Sequence, residues 1–341
     1  MYEEEKKRMK TIRWGVIGSG WIAHMFADTV RDMEGIELVG VYSSNPANRE
    51  AFRQEYQLPL AFESVDELIR SDQTDCIYVG TPHDRHREMI LRSIEAGKHV
   101  LCAKPMSLTE EEVAEIQQKG LEKQVLVMEE MWTGFRPLFR EVRELIQSGG
   151  IGELVKFEGH CSFRTEFDQE SRLFRKSCGG GSMLDVGVYV AALAQYFTGQ
   201  DPCEIKAAGA VGKTGVDHMI NVLLSYPDGV QGFLSSGMMS DERQEFYLAG
   251  TKGSVTIPRF WYTDRYIIEI YNDEKKEVVA EPLEPGKREE RHDYLIQAFC
   301  DLVREGKLDN EIVPAENTRK TARIMDEALR QVGVVYTRES A

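Results

Sequence analysis

A short glycine-containing turn near the start of the chain carries the clearest chemical signal. Gly18, Gly20 and Ala23 follow a short apolar run and open a segment with helical spacing. Gly18 permits a tight turn, Gly20 lets the backbone approach a pyrophosphate, and Ala23 keeps the helix close to its strand. Free N–H groups at the start of the helix would bind the anion. The sequence therefore predicts a dinucleotide phosphate site at this turn, formed with Ser19, Trp21 and Ile22.

The residues after the next apolar run bear on which dinucleotide is bound. An acid at this place usually binds the ribose 2′-hydroxyl of NAD, whereas this chain has Ser43, Ser44 and Asn45. Hydroxyl groups, an amide and the nearby Arg49 could bind a 2′-phosphate that an acid would repel. Alternatively, the three residues form an ordinary polar turn and Arg49 is a solvated helix residue. The pattern favours NADP(H), with NAD(H) as the alternative.

The first 131 residues alternate between two periodicities, and these are the elements that must position the turn. Short apolar runs predict buried strands, and longer segments with 3.6-residue spacing predict helices between them. Strands alternating with helices imply a doubly wound parallel sheet, the Rossmann fold. The predicted strands are Ile12–Ile17, Leu38–Tyr42, Cys76–Val79, His99–Cys102 and Val125–Met128, and the helices are Ile22–Met33, Pro46–Tyr56, Ser64–Ile69, Arg85–Glu95 and Glu110–Lys123.

After Trp132 the pattern becomes rich in strands. One amphipathic helix is predicted over Pro137–Gln147, and a helix that follows the glycine run Gly179–Gly181 is predicted to end near Phe197. Two further helices are predicted over Arg291–Arg304 and Pro314–Gln331. Seven alternating segments between Val155 and Tyr271 predict a large, mainly antiparallel open sheet. We therefore expect an α/β chain with a Rossmann domain at 1–131 and an α+β domain at 132–341.

Composition excludes several classes of function. The chain has 42 basic and 57 acidic residues, a net charge of −15. A surface for nucleic acid or anionic membrane would need a basic face, so neither partner is expected. The six cysteines form no C-x-x-C pair, and no run reaches the roughly 18 apolar residues of a membrane span. A cytoplasmic protein is expected. His83 and His86 lie three residues apart without a third ligand, so no metal is predicted.

Several longer motifs give a family resemblance. The chain resembles the glucose–fructose oxidoreductase/inositol dehydrogenase (Gfo/Idh/MocA) family, and is most similar to the branch of dimeric dihydrodiol dehydrogenases and related sugar and anhydrosugar reductases. The resemblance covers about residues 11–200, where specific motifs carry it. These motifs are Thr81-Pro82-His83 with His86, Glu95 to Pro105, Glu130-Met131-Trp132-Thr133, Ile151-Gly152-Glu153, Arg172-Leu173-Phe174 and Gly179 to Tyr189.

The resemblance implies both a place and a set of residues for the chemistry. Substrate would lie in a cleft between the domains, with Lys104 of the Lys-Pro motif near the nicotinamide. His86 would face the nicotinamide ribose, and the open sheet of the second domain would form the interface of a homo-oligomer, a dimer or a tetramer. The further positions that it implies for the cofactor are Thr81, Pro82, His83, Ala103 and Trp132.

Hydride transfer between a nicotinamide and a carbinol carbon requires a group that carries the proton of the oxygen. Lys104 and Tyr189 are the candidates. Asp185 lies four residues before Tyr189, so the two would share one helix face, and Asp185 would orient or balance Lys104. Without the resemblance, Tyr189 is better explained as an interior tyrosine with a satisfied hydroxyl, and Asp185 as a charge on the helix surface. The remaining substrate candidates are Trp132, His160, Arg172 and, less specifically, Arg175.

Two departures from the family pattern leave alternatives open. Ala103 stands where members typically have the glutamate of Glu-Lys-Pro. Gly134 stands where this branch often has arginine, and the glycine would enlarge the pocket or remove a contact. The leading interpretation is an NADP(H)-dependent oxidoreductase for a sugar, anhydrosugar, diol or related polyol. Ala103 motivates a second one, a catalytically weak protein that binds NADP(H) as a sensor. An NAD-dependent glycosidase is a third.

Overall fold

The computed structural model describes residues 10–271, 275–280 and 291–336, which form two compact units. The first unit contains residues 10–106, 114–130 and 292–311. The second contains residues 107–113, 131–271, 275–280, 291 and 312–336. The main break, between Glu130 and Met131, lies one residue from the predicted boundary. Residues 292–311, however, return to the first unit.

The first unit alternates strands and helices as its sequence predicts. Its strands are β1 (Ile12–Ile17), β2 (Ile36–Tyr42), β3 (Leu60–Ala61), β4 (Cys76–Val79), β5 (His99–Cys102) and β6 (Val127–Glu129). Its helices are α1 (Trp21–Val30), α2 (Pro46–Glu55), α3 (Val65–Arg70), α4 (His83–Glu95), most of α5 (Glu110–Lys123) and α8 (Asp293–Glu305). The two-residue strand β3 is not among the predicted elements, because it is too short to show a periodicity.

The six strands form one parallel sheet in the order β3-β2-β1-β4-β5-β6, with helices on both faces. On one face, the ring of Trp14 in β1 lies 5.1 Å from Phe26 of α1 and 5.1 Å from Phe299 of α8. On the other, Gly15 leaves room for Leu68 of α3, which a Cβ at Gly15 would approach to 2.8 Å. The order reverses beside β1 and β4, the place where doubly wound sheets bind their ligands.

The second unit combines a large sheet with a few helices. Its strands are β7 (Leu154–Ser162), β8 (Glu204–Val211), β9 (Asp217–Ser225), β10 (Gln231–Gly237), β11 (Glu245–Gly250), β12 (Gly253–Pro258), β13 (Arg265–Ile270) and β14 (Lys275–Val279). Its helices are α6 (Pro137–Gln147), α7 (Val188–Thr198) and α9 (Ala315–Gln331), with 3-10 turns at Trp132–Phe135 and Lys176–Cys178 and a π-helical turn at Met183–Gly187.

The eight strands lie in the order β14-β13-β12-β11-β7-β10-β9-β8, and every pair except β7 with β10 is antiparallel. One face packs on α7, where Phe197 lies 5.5 Å from Phe246 of β11 and a Cβ at Gly159 of β7 would touch Val190. The helical stretch Lys176–Thr198 is long and apolar enough to be compared with a membrane span, but 83% of the window tested is buried inside the protein.

Candidate functional site

The glycine turn lies between β1 and α1, where the sequence predicts it. Gly18 has φ +114°, and a Cβ there would collide with the carbonyl oxygen of Gly80 at the end of β4. Gly20 caps α1 without any side-chain hydrogen bond, and the space beside its Cα is open. The first N–H groups of α1 therefore face a space that an anion can enter, as dinucleotide binding requires. Ile22 packs towards Gly80, and Trp21 is 70% exposed.

The segment predicted to bind the 2′-phosphate is hydrogen-bonded to this turn. Its four residues, Ser43, Ser44, Asn45 and Arg49, make different contacts. Ser19 Oγ donates to Ser43 Oγ at 2.8 Å, which joins the turn to the end of β2. The side chain of Asn45 caps α2 by accepting from two backbone N–H groups. Buried Arg49 donates to Glu63 Oε2 at 2.7 Å. Ser44 is exposed, so it is the side chain of this segment best placed to meet a ribose or its phosphate.

His86 is completely buried behind the Lys104 turn. Its Nδ1 lies 2.8 Å from the carbonyl oxygen of Pro105, and its Nε2 lies 2.8 Å from that of Thr81. Both nitrogens therefore bind backbone, which corrects the expectation that His86 itself faces a ribose. The ring of His83 lies 5.7 Å away at the start of α4, after Pro82. Among the described residues, no group of three or more histidine, cysteine or acidic side chains could hold a metal ion.

Lys104 lies in a tightly held turn at the carboxyl end of β5. The N–H of Ala103 donates to the carbonyl oxygen of Val79 at 2.9 Å, and the Lys104–Pro105 peptide bond is cis. On the other side of the turn, the N–H of Met106 donates to Glu129 Oε1 at 2.7 Å. With His86, these contacts fix the backbone on both sides of Lys104 at the edge of the sheet where ligands bind.

In the second unit, a π-helical turn presents Asp185 just before α7. The carboxylate of Asp185 accepts from Arg172 Nη1 at 3.0 Å, so the structure brings together two of the predicted substrate residues. The expectation that Asp185 and Tyr189 share a face assumed 3.6 residues per turn, and the π turn changes that spacing. Such turns occur frequently at functional sites. Arg175 instead binds the backbone and carboxylate of Glu170.

Tyr189 lies in an aromatic cluster that the sequence predicts only in part. Its ring centre is 6.1 Å from Trp132 and 4.3 Å from Trp261, and the residue is 5% exposed. The buried guanidinium of Arg136 lies over Trp132 at 5.7 Å and donates to the carbonyl oxygens of Trp261 and Thr263. Trp261 and Arg136 were missed, because a single tryptophan between strands and an arginine at a helix start show no periodic signal.

Asp217 was also missed, although it holds the glycine run. Its Oδ2 accepts from Ser182 Oγ and from the N–H of Met183, both at 2.7 Å, at the start of the π turn. A Cβ at Gly181 would collide with Oδ1, which has no hydrogen-bond partner among the described residues. Tyr336 donates to the carbonyl oxygen of Gly180 from the other side. Burial raises the pKa of Asp217 to about 6.

Two of the predictions about the second unit are corrected. His160 lies on the face of β7 opposite α7, beside Glu158 and 5.6 Å from the ring of Phe233, because alternate residues of a strand point to opposite faces. It is therefore on the opposite face of the sheet from the one that packs on Tyr189's helix. Gly134 faces Val313 and Tyr196 in packed surroundings, and a Cβ there would collide with Val313. Gly134 therefore does not enlarge a pocket.

Comparison with known proteins places this geometry in a family. The chain is 31% identical to mouse (Mus musculus) trans-1,2-dihydrobenzene-1,2-diol dehydrogenase over 341 residues, 96% of this chain and 99% of the relative. It is 30% identical to scyllo-inositol 2-dehydrogenase (NADP(+)) of Bacillus subtilis (strain 168), over 97% of this chain and 100% of the relative.

Among solved structures, a 3-ketoreductase from Actinomadura kijaniata in complex with NADP and TDP-benzene is similar with a TM-score of 0.83 and 25% identity, over 95% of this chain and 98% of the other. The model of the oxidoreductase family with an NAD-binding Rossmann fold matches residues 12–131, and the model of the GFO/IDH/MocA C-terminal domain matches residues 139–256. The chain therefore belongs to the GFO/IDH/MocA family and is an oxidoreductase, as its motifs predict.

Proposed function

We propose that this chain is an NADP(H)-preferring oxidoreductase that interconverts a carbinol and a carbonyl group of a sugar, anhydrosugar, diol or related polyol. The observation that carries the proposal is the setting of Tyr189, a phenol enclosed by Trp132 and Trp261 on the helix that follows the glycine run. Aromatic walls suit the apolar faces of a ring substrate, and a phenol can carry the proton of its hydroxyl group. The named activities of the relatives on diols and inositol support this class.

The residues of the first unit fit a dinucleotide. The uncapped start of α1 and the positive φ of Gly18 would hold the pyrophosphate, and exposed Ser44 would meet the adenosine ribose. The bound nicotinamide supplies the carbon that accepts or gives the hydride. The absence of an acid among Ser43, Ser44 and Asn45 favours NADP(H), and the NADP named with two of the similar proteins supports this preference.

We assign proton transfer to Lys104 and Tyr189. In the oxidation direction, the carbinol hydroxyl loses its proton to one of these groups while the carbinol carbon loses a hydride, which leaves a carbonyl product. In the reduction direction, the same group returns the proton to the carbonyl oxygen. His86 and Glu129 would keep Lys104 in place through the backbone. Asp185 would hold Arg172 towards the oxygens of the substrate, rather than orient Lys104.

We further propose that the chain forms a homo-oligomer through the sheet face opposite α7. Leu223, Phe233 and Tyr247 point to this face from three strands, and Leu223 is 57% exposed. Their row crosses β9, β10 and β11, with Glu158 of β7 between the second and the third. Phe233 and Tyr247 are half-buried, so the row stays partly open to solvent. Accessible apolar side chains that adjoin one another are typical of surfaces that become buried on association.

Turnover by purified protein tests the assignment. NADPH should quench the tryptophan fluorescence, and a panel of inositols, anhydrosugars, aldoses and diols with their carbonyl counterparts should contain a substrate. Lys104→Met and Tyr189→Phe should each lower kcat by about 100-fold or more while leaving NADPH affinity unchanged. Tyr196→Phe, a buried tyrosine on the same helix, and Lys123→Met, an exposed lysine, are the matched controls.

The outcomes separate the alternatives. Turnover by Lys104→Met at the rate of the unchanged protein would refute the role of Lys104. NADPH binding with no turnover of any compound in the panel would refute the enzyme and support the sensor. Release of a free sugar from a glycoside, without net change in NADPH, would support the NAD-dependent glycosidase.

A further inference from the structure

A buried carboxylate lies at the end of β6, where the mechanism above makes no use of it. Glu130 is 2% exposed, and its Oε2 accepts from the hydroxyl of Tyr78 at 2.6 Å. A hydrogen bond of 2.9 Å joins its Oε1 to Nδ1 of His292, which is 5% exposed. The ring of Tyr78 stacks on Phe26 of α1 at 4.0 Å. The carboxylate is thus held by side chains from β4 and from the start of α8.

The register of the sheet places Ala103 beneath this contact. Cys102 pairs with Val79 of β4 on one side and with Glu129 of β6 on the other. The next row is therefore Gly80, Ala103 and Glu130. Since alternate residues share a face, Tyr78 and this row point to the same side of the sheet.

The hydroxyl of Tyr78 must pass over β5 to reach Glu130, because two strand spacings separate β4 from β6, about 10 Å. The residues below it are small. A Cβ on Gly80 would lie 2.8 Å from the Tyr78 ring, and Ala103 has only a methyl group. A glutamate at 103 would project into the same space, already occupied by the Tyr78–Glu130 contact.

Stability alone does not account for this group. A buried carboxylate held by polar partners is often no more stable than an apolar side chain of the same shape. Glu130, however, adjoins the segment that carries Lys104, since its N–H donates to the carbonyl oxygen of Cys102 at 2.7 Å. Its neighbour Glu129 binds the N–H of Met106, on the far side of Lys104.

We propose that Glu130 is a positioning residue for Lys104, and that it supplies from β6 the carboxylate that a Glu-Lys-Pro motif carries at position 103. The alanine at position 103 then leaves room for the contact between Tyr78 and Glu130, and it does not indicate an inactive site. The inference rests on the proposed function, in which Lys104 transfers the proton.

An exchange of side chains between the two strands tests it. Glu130→Ala should lower kcat by about 100-fold, because a small displacement of Lys104 misaligns proton transfer, while KM for the substrate and NADPH affinity change less than about twofold. Ala103→Glu should also lower kcat, because the new carboxylate displaces Tyr78 and faces Glu130. In the double variant Ala103→Glu/Glu130→Ala, the carboxylate returns to β5, and kcat should exceed that of the worse single variant by about tenfold.

Three further proteins make the result decisive. Glu130→Gln keeps an acceptor for Tyr78 and should recover part of the loss, even if Glu130→Ala fails to fold. Glu122→Ala, on an exposed part of α5, should change nothing. If Lys104→Met is inactive while Glu130→Ala and Glu130→Gln keep full kcat, the positioning role is wrong and the proposed function stands. If Lys104→Met is fully active, the proposed function itself fails. A rise in kcat for Ala103→Glu alone would refute the proposal that Glu130 supplies the carboxylate missing at position 103.

Discussion

The carboxyl of Asp217 should make the stability of this protein depend on pH in an unusual direction. Burial raises its pKa to about 6 from an ordinary value of 3.8, against hydrogen bonds from Ser182 and Met183 that lower it. An unfolded carboxyl releases its proton near pH 3.8, and the folded one does so near pH 6. The stabilising contribution of this group is therefore fully present below pH 3.8 and is lost as the pH rises to about 6.

The size of the effect follows from the two pKa values. The difference between 3.8 and about 6 corresponds to a cost of about 3 kcal/mol once Asp217 is ionised. Asp217→Asn keeps a carbonyl oxygen to accept from Ser182 and Met183 but carries no charge. It should therefore raise the free energy of unfolding at pH 7 by up to about 3 kcal/mol, or the melting temperature by about 5–10 °C.

Thermal unfolding followed by calorimetry at several pH values measures this difference directly. The gain of Asp217→Asn over the unchanged protein should be largest above pH 6 and should vanish below pH 4. The comparison cancels the titration of the adjacent His218, whose pKa burial lowers. Asp228→Asn, in an exposed turn, should show no such gap. A variant that is less stable than the unchanged protein at pH 7, or a gap independent of pH, would refute the reasoning.

Two further predictions concern the cofactor and the assembly. Ser44→Asp should weaken NADPH binding by about tenfold or more without weakening NADH binding, because an acid beside the ribose repels a 2′-phosphate. Fluorescence titration of this variant and of Ser44→Ala with each cofactor measures the change in affinity. Equal weakening of both cofactors would contradict the prediction. Leu223→Lys should lower the oligomeric state found by analytical ultracentrifugation, whereas Lys123→Ala, on helix α5 and outside this sheet, should not; an unchanged mass at all concentrations would place any interface elsewhere.

The sequence predicts the first unit closely, because buried parallel strands are short apolar runs with clear limits. The predicted bounds of β1, β4 and β5 agree with the structure residue for residue. The predicted sheet of the second unit is likewise confirmed, apart from the edge strand β14, whose residues Lys275–Val279 are mostly polar. In each case, periodicity reports which face of an element is buried.

Periodicity does not report what an element packs against, and the differences arise there. The pattern of α8 predicts a helix with one apolar face, but not that Phe299 on this face meets Trp14 of the first unit. In the same way, Arg49 is visible as a charge near the cofactor segment, whereas its contact with Glu63 depends on the fold. Trp261 and Asp217 reach Tyr189 and the glycine run from distant parts of the chain, so no local spacing could identify them.

The same limit governs how a departure from a motif should be interpreted. Ala103 reads as a loss when only its neighbours in the chain are considered, because a carboxylate is missing before Lys104. Its neighbours across the sheet are Gly80 and Glu130. They explain why residue 103 is small, because the Tyr78 hydroxyl reaches Glu130 over this position. A degenerate site would be expected to lose polar groups without gaining buried ones, since an isolated buried carboxylate is costly. Here a buried carboxylate with two side-chain partners adjoins the segment that carries Lys104, which favours an active enzyme over a sensor.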